Sequence, residues 1–273
     1  MAVVQADLVR TGAARGRTLL WRWGPALLTF ALAVALWELL VRGFDVPFYL
    51  LPAPSAIVET FFQQPGYLLD IGLFTFREAL AGFAVGCTLG ALIAAVCVRF
   101  RGLSEGLLPL SVASNAVPIV ALSPLLGIWL GSTTSASKIG VVAIMTFFPT
   151  LVSVYRGLVS PGADALQLMR SYAARQRDVC LKLRLPAALP YLFNALKICS
   201  TLSMIGAVVA EFFGGQQNAL GVYIKSRAGI LQMREAWSAI LVACLIGIAF
   251  YLVINVVERL LMPWHVSFRE SRA

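Results

Sequence analysis

Charged residues are scarce in this sequence: they make up 13% of the 273 residues, whereas hydrophobic residues make up 59%. Soluble domains carry about 25% charged residues, which cover their water-facing surface. A soluble chain of this length would therefore lack the charge that its surface needs. The composition excludes an ordinary soluble domain and indicates that lipid covers much of the surface.

Motifs that carry covalent chemistry are missing as well. The sequence has one histidine, His265, and contains no nucleophile elbow, HExxH motif or paired-carboxylate motif. We therefore predict that the protein is not an enzyme and has no catalytic residue, metal site or cofactor. A GxxxxGK[ST] phosphate-binding loop is also absent, which argues against a self-contained pump and places any ATP hydrolysis on another polypeptide.

The cysteines form no recognisable framework. None of the five belongs to a CxxC pair, and four of them lie in apolar runs. Neither a disulfide framework nor a metal centre is therefore predicted. We interpret these residues as small apolar side chains: Cys87, Cys97, Cys180, Cys199 and Cys244.

Six apolar segments run along the chain, each close to the ~20 residues that a membrane-spanning helix needs. Trp37 and Glu38 stand where a signal peptide would need small residues for cleavage, so we interpret the first segment as a retained signal anchor. The sequence thus predicts an all-α, polytopic membrane protein with six transmembrane helices at Pro25–Val41, Ala79–Val98, Leu107–Leu130, Ile139–Leu158, Tyr191–Phe213 and Trp237–Leu261.

The distribution of Lys and Arg indicates the orientation. With the N-terminus inside, fifteen of these residues fall on the inner side and six on the outer side, while Lys197 lies within a span. Cytoplasmic loops carry the excess of positive charge in membrane proteins, so we expect both termini in the cytoplasm. The net charge of +9 does not indicate nucleic-acid binding, because no compact basic stretch with interleaved aromatic residues is present.

The inner segment between the fourth and fifth spans, residues 159–190, has the most informative pattern. From Asp164 to Leu185 apolar and polar residues alternate with a helical period, which predicts an amphipathic helix. We expect this helix to end at Leu185, because Pro186 disfavours helical geometry before it, and Pro190 suits the first turn of the next helix. The pattern fits either a docking surface joined to the fifth span by a stiff corner or a helix resting on lipid headgroups.

The third span combines prolines with polar side chains at membrane depth. Lipid cannot satisfy interrupted backbone, so such a helix is buried in protein or lines a watery path. The alternative interpretation is that these residues are small side chains that pack between helices. We identify this span as the best candidate for the translocation pathway, lined by Ser111, Ser114, Asn115, Pro118, Ser123 and Pro124.

Glu211 is an acidic residue in an apolar span, and such residues usually face the protein interior. Gly214 and Gly215 follow it and fit a re-entrant turn at the outer mouth. We predict an outer gate at these three residues, with ordinary placement at the membrane interface as the alternative. On the second span, glycine recurs every four residues and predicts a close-packing face at Gly82, Gly86 and Gly90.

Two stretches of the inner loop resemble the EAA loop of bacterial ABC importer permeases. That loop reads roughly Glu-Ala-Ala, three residues, Gly, nine residues, an aliphatic residue, one residue and Leu-Pro. Here 167–174 matches the first part with Ala173 at the glycine position, and 183–191 matches the second part with Leu183 at the aliphatic position. Further stretches resemble the family, and in particular its nitrate/sulfonate/taurine branch, at 51–55, 118–125, 137–139, 147–149, 211–215 and 258–264.

The loop departs from the family pattern in two places. Gln-Leu-Met replaces the Glu-Ala-Ala letters at 167–169, and alanine replaces glycine at Ala173. Glycine permits a left-handed turn that alanine adopts only at a cost of about 1 kcal/mol. We therefore expect the turn to be tighter than in the family or helical throughout.

The resemblance implies the type I ABC importer permease fold in a bacterial inner membrane. It also implies the partners: a second permease copy in a homodimer, a cytoplasmic ATPase dimer and an extracytoplasmic solute-binding protein. Closure of the ATPase dimer would move the short helix of the loop and alternate access between the two sides. The residues to which the resemblance assigns ATPase coupling are Arg170, Ser171, Tyr172, Ala173, Ala174, Arg175, Arg177, Asp178 and Pro186.

The predicted organisation is a cytoplasmic tail at 1–24, one transmembrane permease domain at 25–265 and a cytoplasmic tail at 266–273. The core of that domain covers about 75–262 and includes the coupling loop 159–190. The predicted function is that of the permease subunit of an ATP-driven importer. Its solute is a nitrate-, sulfonate- or taurine-like anion or a pyrimidine-type vitamin precursor.

A secondary transporter driven by an ion gradient is the alternative function. The scarcity of acids in the spans and the absence of an internal repeat argue against it. An integral-membrane enzyme is disfavoured because the sequence contains no catalytic constellation.

Overall fold

The computed structural model describes residues 24–113 and 119–262, and within these ranges it contains helices and no strand. The predicted tails lie outside the described residues apart from Gly24. The helices are α1 (Gly24–Gly43), α2 (Pro54–Gln63), α3 (Pro65–Arg99), α4 (Arg101–Ala113), α5 (Ile119–Leu130), α6 (Ser135–Val159), α7 (Ala163–Ser171), α8 (Gln176–Val179), a π-helical turn (Cys180–Arg184), α9 (Leu185–Phe212), α10 (Leu220–Gly229) and α11 (Met233–Leu261).

Five helices are long and apolar enough to cross a membrane: α1, α3, α6, the continuous helix Gln176–Phe212 and α11. They correspond to the first, second, fourth, fifth and sixth predicted spans. The predicted third span falls on α4 and α5, which are separated by residues 114–118 outside the described part. A sixth crossing therefore stays a prediction.

Helix α3 begins well before the predicted start of the second span at Ala79. Its first turns contain the charged residues Asp70 and Arg77. A search for apolar segments therefore omits these turns, although they are helical. At 35 residues the helix is about 52 Å long and exceeds the ~30 Å hydrocarbon core of a bilayer. The predicted outer segment 43–76 thus contains one short helix, α2, and the beginning of α3.

The glycine face of α3 packs directly on α6, as the sequence predicts. A Cβ atom at Gly82 would lie 2.5 Å from Val142 Cβ, and one at Gly86 would lie 2.4 Å from the Ala143 carbonyl oxygen. At Gly90 the corresponding distance to the Phe147 carbonyl oxygen is 2.6 Å. Only glycine permits this backbone approach, which fixes the spacing between α3 and α6.

Helix α9 completes the core against the same two helices. Thr150 Oγ1 of α6 lies 3.4 Å from Cys87 Sγ of α3 and 3.4 Å from Cys199 Sγ of α9. All five cysteines are free thiols, and Cys87, Cys97 and Cys199 are buried. The buried thiols act as small packing groups at the meeting point of three helices.

Helix α11 is tied to α9 by an ion pair between Lys197 and Glu258. The Glu258 side chain is 9% exposed and that of Lys197 is 21% exposed. Opposite charges inside a membrane protein usually pair in this way, because lipid solvates neither of them. The Lys197 ammonium therefore has a structural role in joining the last span to the core.

Removal of the acid from this pair is expected to destabilise the protein. The Glu258→Ala variant leaves the Lys197 ammonium without its partner, at a cost of about 3 kcal/mol. Thermal unfolding in lipid nanodiscs should show a lower midpoint than the wild type. The double variant Lys197→Met with Glu258→Leu should recover most of the loss, because matched apolar side chains need no partner; equal midpoints for both variants would contradict the pairing.

Two short helices, α2 and α10, are each anchored by a glutamate from a long helix. Glu38 of α1 accepts hydrogen bonds from the Ser55 N–H (3.0 Å) and the Ser55 hydroxyl (2.7 Å) at the start of α2. Glu211 of α9 accepts one from the Gly221 N–H (2.6 Å) at the start of α10. A carboxylate at a helix N-terminus satisfies free N–H groups and interacts favourably with the helix dipole. These acids thus position α2 and α10 against the long helices.

Candidate functional site: the inner loop and the outer gate

The inner loop contains two helices rather than the single one predicted from Asp164 to Leu185. Helix α7 ends at Ser171, and α8 begins at Gln176 after an intervening turn. The break coincides with Ala173, whose φ of +50° lies in the left-handed region. The expectation of a tighter or fully helical turn at this alanine is therefore wrong.

A Schellman motif stabilises the turn despite the alanine. The Ala173 N–H donates to the Arg170 carbonyl oxygen (2.8 Å), and the Ala174 N–H donates to the Met169 carbonyl oxygen (3.0 Å). These two bonds are the pair that defines the motif, in which the left-handed residue is usually glycine. Alanine thus keeps the turn that glycine would give, at the conformational cost of its Cβ atom.

Glycine at this position is expected to make the turn more stable. The Ala173→Gly substitution removes a left-handed strain of about 1 kcal/mol and keeps both hydrogen bonds. Hydrogen exchange of the amides at 173 and 174 should slow about fivefold, as that free energy implies. The matched variant Ala174→Gly should exchange at least as fast as the wild type, because that residue has no positive φ. Faster exchange in the Ala173→Gly variant would contradict the strained turn.

The second helix of the loop does not end at Leu185, which corrects the predicted corner at Pro186. The chain is helical from Gln176 to Phe212, and Pro186 lies in the first turn of α9. A proline ring ordinarily clashes with the carbonyl four residues earlier. Here the preceding residues widen into a π-helical turn, in which the Leu185 N–H donates to the Cys180 carbonyl oxygen. One rod therefore connects the loop to the outer end of α9.

Large apolar side chains of the loop are exposed. Tyr172 is 77% exposed, Leu181 62% and Leu168 58%, and no residue of α7, α8 or the π-helical turn is buried. No other described part of the chain therefore covers these side chains. An apolar surface of this kind on a polar loop is typical of an interaction site.

The residues predicted for ATPase coupling all lie on or beside this surface. Asp178 forms an ion pair with Lys182 one turn later, at 2.8 Å. Ala174 is half-buried, and the remaining predicted residues are exposed: Arg170, Ser171, Tyr172, Ala173, Arg175, Arg177 and Pro186. Eight of the nine predicted residues thus lie between 170 and 178, at and just after the turn, whereas Pro186 lies in the first turn of α9.

At the opposite end of the same rod, Glu211 is buried and only 1% exposed. Its neighbour Gly214 has a φ of +150°, and a Cβ atom there would lie 2.9 Å from the Ser132 carbonyl oxygen. That carbonyl accepts a hydrogen bond from Lys138 of α6. A Cβ atom at Gly215 would lie 2.8 Å from Val222 of α10. The predicted gate residues thus pack between the α5–α6 turn and α10.

The residues predicted to line the translocation pathway are described only in part. Ser123 is 5% exposed, and its hydroxyl donates to the Ala210 carbonyl oxygen of α9 at 3.4 Å. Ser111 is buried in α4 and donates to Leu107 within that helix at 2.7 Å. Pro124 is exposed on α5. The other three predicted residues lie outside the described part: Ser114, Asn115 and Pro118.

Sequence reasoning missed three polar residues that meet Glu211 in the structure. They are Thr75 and Glu78 of α3 and Lys138 of α6, all at most 5% exposed. Thr75 Oγ1 accepts a hydrogen bond from the Leu220 N–H (2.9 Å), next to the bond from Gly221 to Glu211. Glu78 and Lys138 stand immediately before the predicted second and fourth spans. A charged residue at each span boundary is therefore the sequence feature that could have identified them.

Comparisons with known proteins identify the family of the chain. A family model described as the binding-protein-dependent transport system inner membrane component matches residues 86–265. That range covers more than half of the chain, so the chain belongs to this family. It is accordingly an ABC-type permease subunit, non-catalytic like its family, and a multi-pass protein of the inner membrane.

Individual relatives resemble the chain over nearly its whole length. The formylaminopyrimidine transport permease protein of Halalkalibacterium halodurans is 30% identical over 87% of this chain and 94% of that protein. The riboflavin transport system permease protein of Chloroflexus aurantiacus is 29% identical, with 89% and 92% covered. The taurine transport system permease protein of Escherichia coli is 25% identical, with 91% and 94% covered. The named solutes are chemically diverse, so the likeness identifies the class of transporter and leaves the solute open.

Proposed function

We propose that this chain is the membrane-spanning permease subunit of an ATP-driven importer, and that its inner loop docks on a separate cytoplasmic ATPase. The observation that supports this most strongly is the exposed apolar turn around Tyr172, which other described parts of the chain leave uncovered. The arginines beside it add positive charge that suits acidic residues on a partner. They are Arg170, Arg175 and Arg177.

The same proposal includes the arrangement in the membrane. Both termini are cytoplasmic, α4 and α5 belong to a sixth span, and the fold is the type I importer permease fold. The permease domain covers 25–265, with tails at 1–24 and 266–273 and the coupling loop at 159–190. The excess of Lys and Arg on the inner side supports this orientation. Two copies form a homodimer, each offering one loop to one ATPase subunit.

Motion of the loop reaches the outer gate along a single helical rod. The rod Gln176–Phe212 has 37 residues, which corresponds to about 55 Å. Its inner end adjoins the turn at Ala173, and its outer end carries Glu211. Closure of the ATPase dimer tilts this rod and shifts the gate residues against α10. The bundle thereby alternates access between the two sides of the membrane.

The transported solute is a small molecule received from an extracytoplasmic binding protein, which sets most of the selectivity. We propose a nitrate-, sulfonate- or taurine-like anion or a pyrimidine-type vitamin precursor. Relatives named for taurine and for a formylaminopyrimidine support these two classes. Ser111 and Ser123 face the protein interior and are the described candidates for the pathway, with Ser114, Asn115, Pro118 and Pro124 completing the set.

Reconstitution into proteoliposomes tests the proposal. The full chain is combined with its ATPase and binding protein. This assembly should take up a labelled solute of one of the two proposed classes only when ATP is supplied to the ATPase. The chain alone should transport nothing. Uptake by the chain alone under a proton or sodium gradient would instead support a secondary transporter and contradict the proposal.

A further inference from the structure

Three charged side chains are buried together where the core helices α3, α6 and α9 meet. Glu78 of α3, Lys138 of α6 and Glu211 of α9 are 5%, 2% and 1% exposed. The carboxyls of Glu78 and Glu211 lie close enough for one of them, when protonated, to donate to the other, and Lys138 interacts electrostatically with both. Ionisable residues within membrane spans are costly to bury and mark functional positions.

Each carboxyl has one oxygen that lacks a hydrogen-bond partner among the described residues. Glu211 Oε2 accepts the Gly221 N–H at 2.6 Å, whereas Glu211 Oε1 and Glu78 Oε2 are buried and unpartnered. Two ionised carboxylates cannot bond to each other, because both are acceptors only. A proton on one carboxyl donates to the other and satisfies both groups.

The charge of the cluster also calls for a proton. Two carboxylates and one ammonium would leave a net negative charge in a buried site, which is unfavourable without a further cation. Lys138 already donates to the Ser132 carbonyl oxygen and to Ser137 Oγ (3.1 Å), so its three N–H groups are shared among several acceptors. One added proton makes the cluster neutral.

Apart from Lys138, the groups that contact the two carboxyls in the described part of the chain are uncharged: hydroxyl groups of α3 and α6 and a backbone N–H group at the start of α10. Lys225 of α10 donates to the Phe212 carbonyl oxygen (2.7 Å), one residue beyond Glu211. Lys138 is the cation that acts on both carboxyls. The uncharged groups are the hydroxyls of Thr75 and Ser135 and the Gly221 N–H, and the Leu220 N–H donates to Thr75 beside them.

We propose that Glu78 and Glu211 form a proton-binding site in which the two carboxyls share a single proton beside Lys138. The shared proton joins α3 to the outer end of the rod Gln176–Phe212, next to the point where Glu211 anchors α10. Proton occupancy therefore holds the outer end of the bundle together. This site is separate from the ATPase-docking loop and does not depend on the proposed transport function.

Infrared spectroscopy of the full-length protein in nanodiscs tests for this proton. Protein labelled with carbon-13 at the glutamate carboxyls should show the carbonyl stretch of a protonated carboxylic acid at neutral pH. The band should disappear in Glu78→Gln and in Glu211→Gln, because each leaves one carboxylate that bonds to an amide. It should persist in Glu59→Gln, which alters an exposed glutamate of α2.

A wild-type spectrum without that band at neutral pH would overturn the proposal, even if neither glutamine variant folds. A band that survives both single substitutions would do the same, since the proton would then lie elsewhere.

The pH dependence of thermal unfolding gives a second readout. Exposed carboxyls of the unfolded chain are ionised at neutral pH, so the folded state binds one more proton than the unfolded state. The unfolding midpoint of the wild type should therefore fall as pH rises through neutrality. The Glu211→Gln variant should show a smaller slope, whereas Glu59→Gln should follow the wild type. An equal slope in all three proteins would contradict the shared proton.

Discussion

Charge reversal at Arg175 and Arg177 is expected to remove most of the association between this permease and its ATPase. Both arginines are exposed beside the apolar turn at Tyr172 and are free to meet acidic residues of a partner. Replacing both with glutamate turns attraction into repulsion at the docking surface. We expect the affinity to fall about tenfold or more, equivalent to ~1.4 kcal/mol or more. Co-purification from detergent at low and high salt measures the change.

The matched control places the same change of charge at the opposite end of the molecule. Arg227 lies on α10 and Arg234 at the start of α11, where their guanidinium groups stack on Tyr223 and Phe48. The double variant Arg227→Glu with Arg234→Glu should retain the ATPase at the wild-type level. Full retention of the ATPase by the Arg175→Glu, Arg177→Glu variant would show that these arginines are not part of the docking surface.

A methyl group at Gly86 is expected to cause a large loss of stability, because it would meet both a side chain and the backbone of α6. The Cβ atom of an alanine would lie 2.1 Å from Thr146 Oγ1 and 2.4 Å from the Ala143 carbonyl oxygen. Because the second contact is with backbone, α3 and α6 must move apart. Overpacking of this kind costs about 1–3 kcal/mol or more. The midpoint of thermal unfolding should fall by about 2–4 °C per kcal/mol in a protein of this size.

Gly66 is the matched control because it lies in the same helix with nothing within 4 Å of its Cβ position. Alanine at that position should leave the midpoint unchanged or raise it slightly, since alanine has the higher helix propensity. Equal midpoints for Gly86→Ala and Gly66→Ala would show that the close approach of α3 to α6 contributes nothing to stability.

The long helices and the close-packing face could be predicted from sequence because each depends on a local pattern. An apolar run of about 20 residues has few alternatives to a membrane-spanning helix. Glycine at every fourth position places small residues on one helix face, and Gly82, Gly86 and Gly90 do contact α6. Such features need no knowledge of the partner helix.

The inner loop shows where local reasoning fails. The left-handed Ala173 is unfavourable in isolation, yet the hydrogen bonds to Arg170 and Met169 stabilise it. Pro186 ordinarily marks a helix boundary, yet the π-helical turn before it relieves the clash of its ring. In both cases the surrounding backbone accommodates a residue that propensity alone disfavours.

The buried cluster of Glu78, Lys138 and Glu211 was missed for a different reason. Apolar windows stop at charged residues, so Glu78 and Lys138 were placed just outside the second and fourth spans. Their burial depends on the meeting of α3, α6 and α9, whose contacts are long-range in sequence. Glu211 was noticed because it lies inside an apolar run, but its partners required the fold.

Photo-crosslinking from position 172 tests the central claim most directly, namely that the inner loop docks on a cytoplasmic ATPase. A photoreactive phenylalanine analogue at Tyr172 should form a covalent adduct with the ATPase subunit in the assembled transporter. The same analogue at Phe62, which is 70% exposed on the outer helix α2, should form none. An adduct at position 172 with lipid or with the binding protein, and none with the ATPase, would contradict the account.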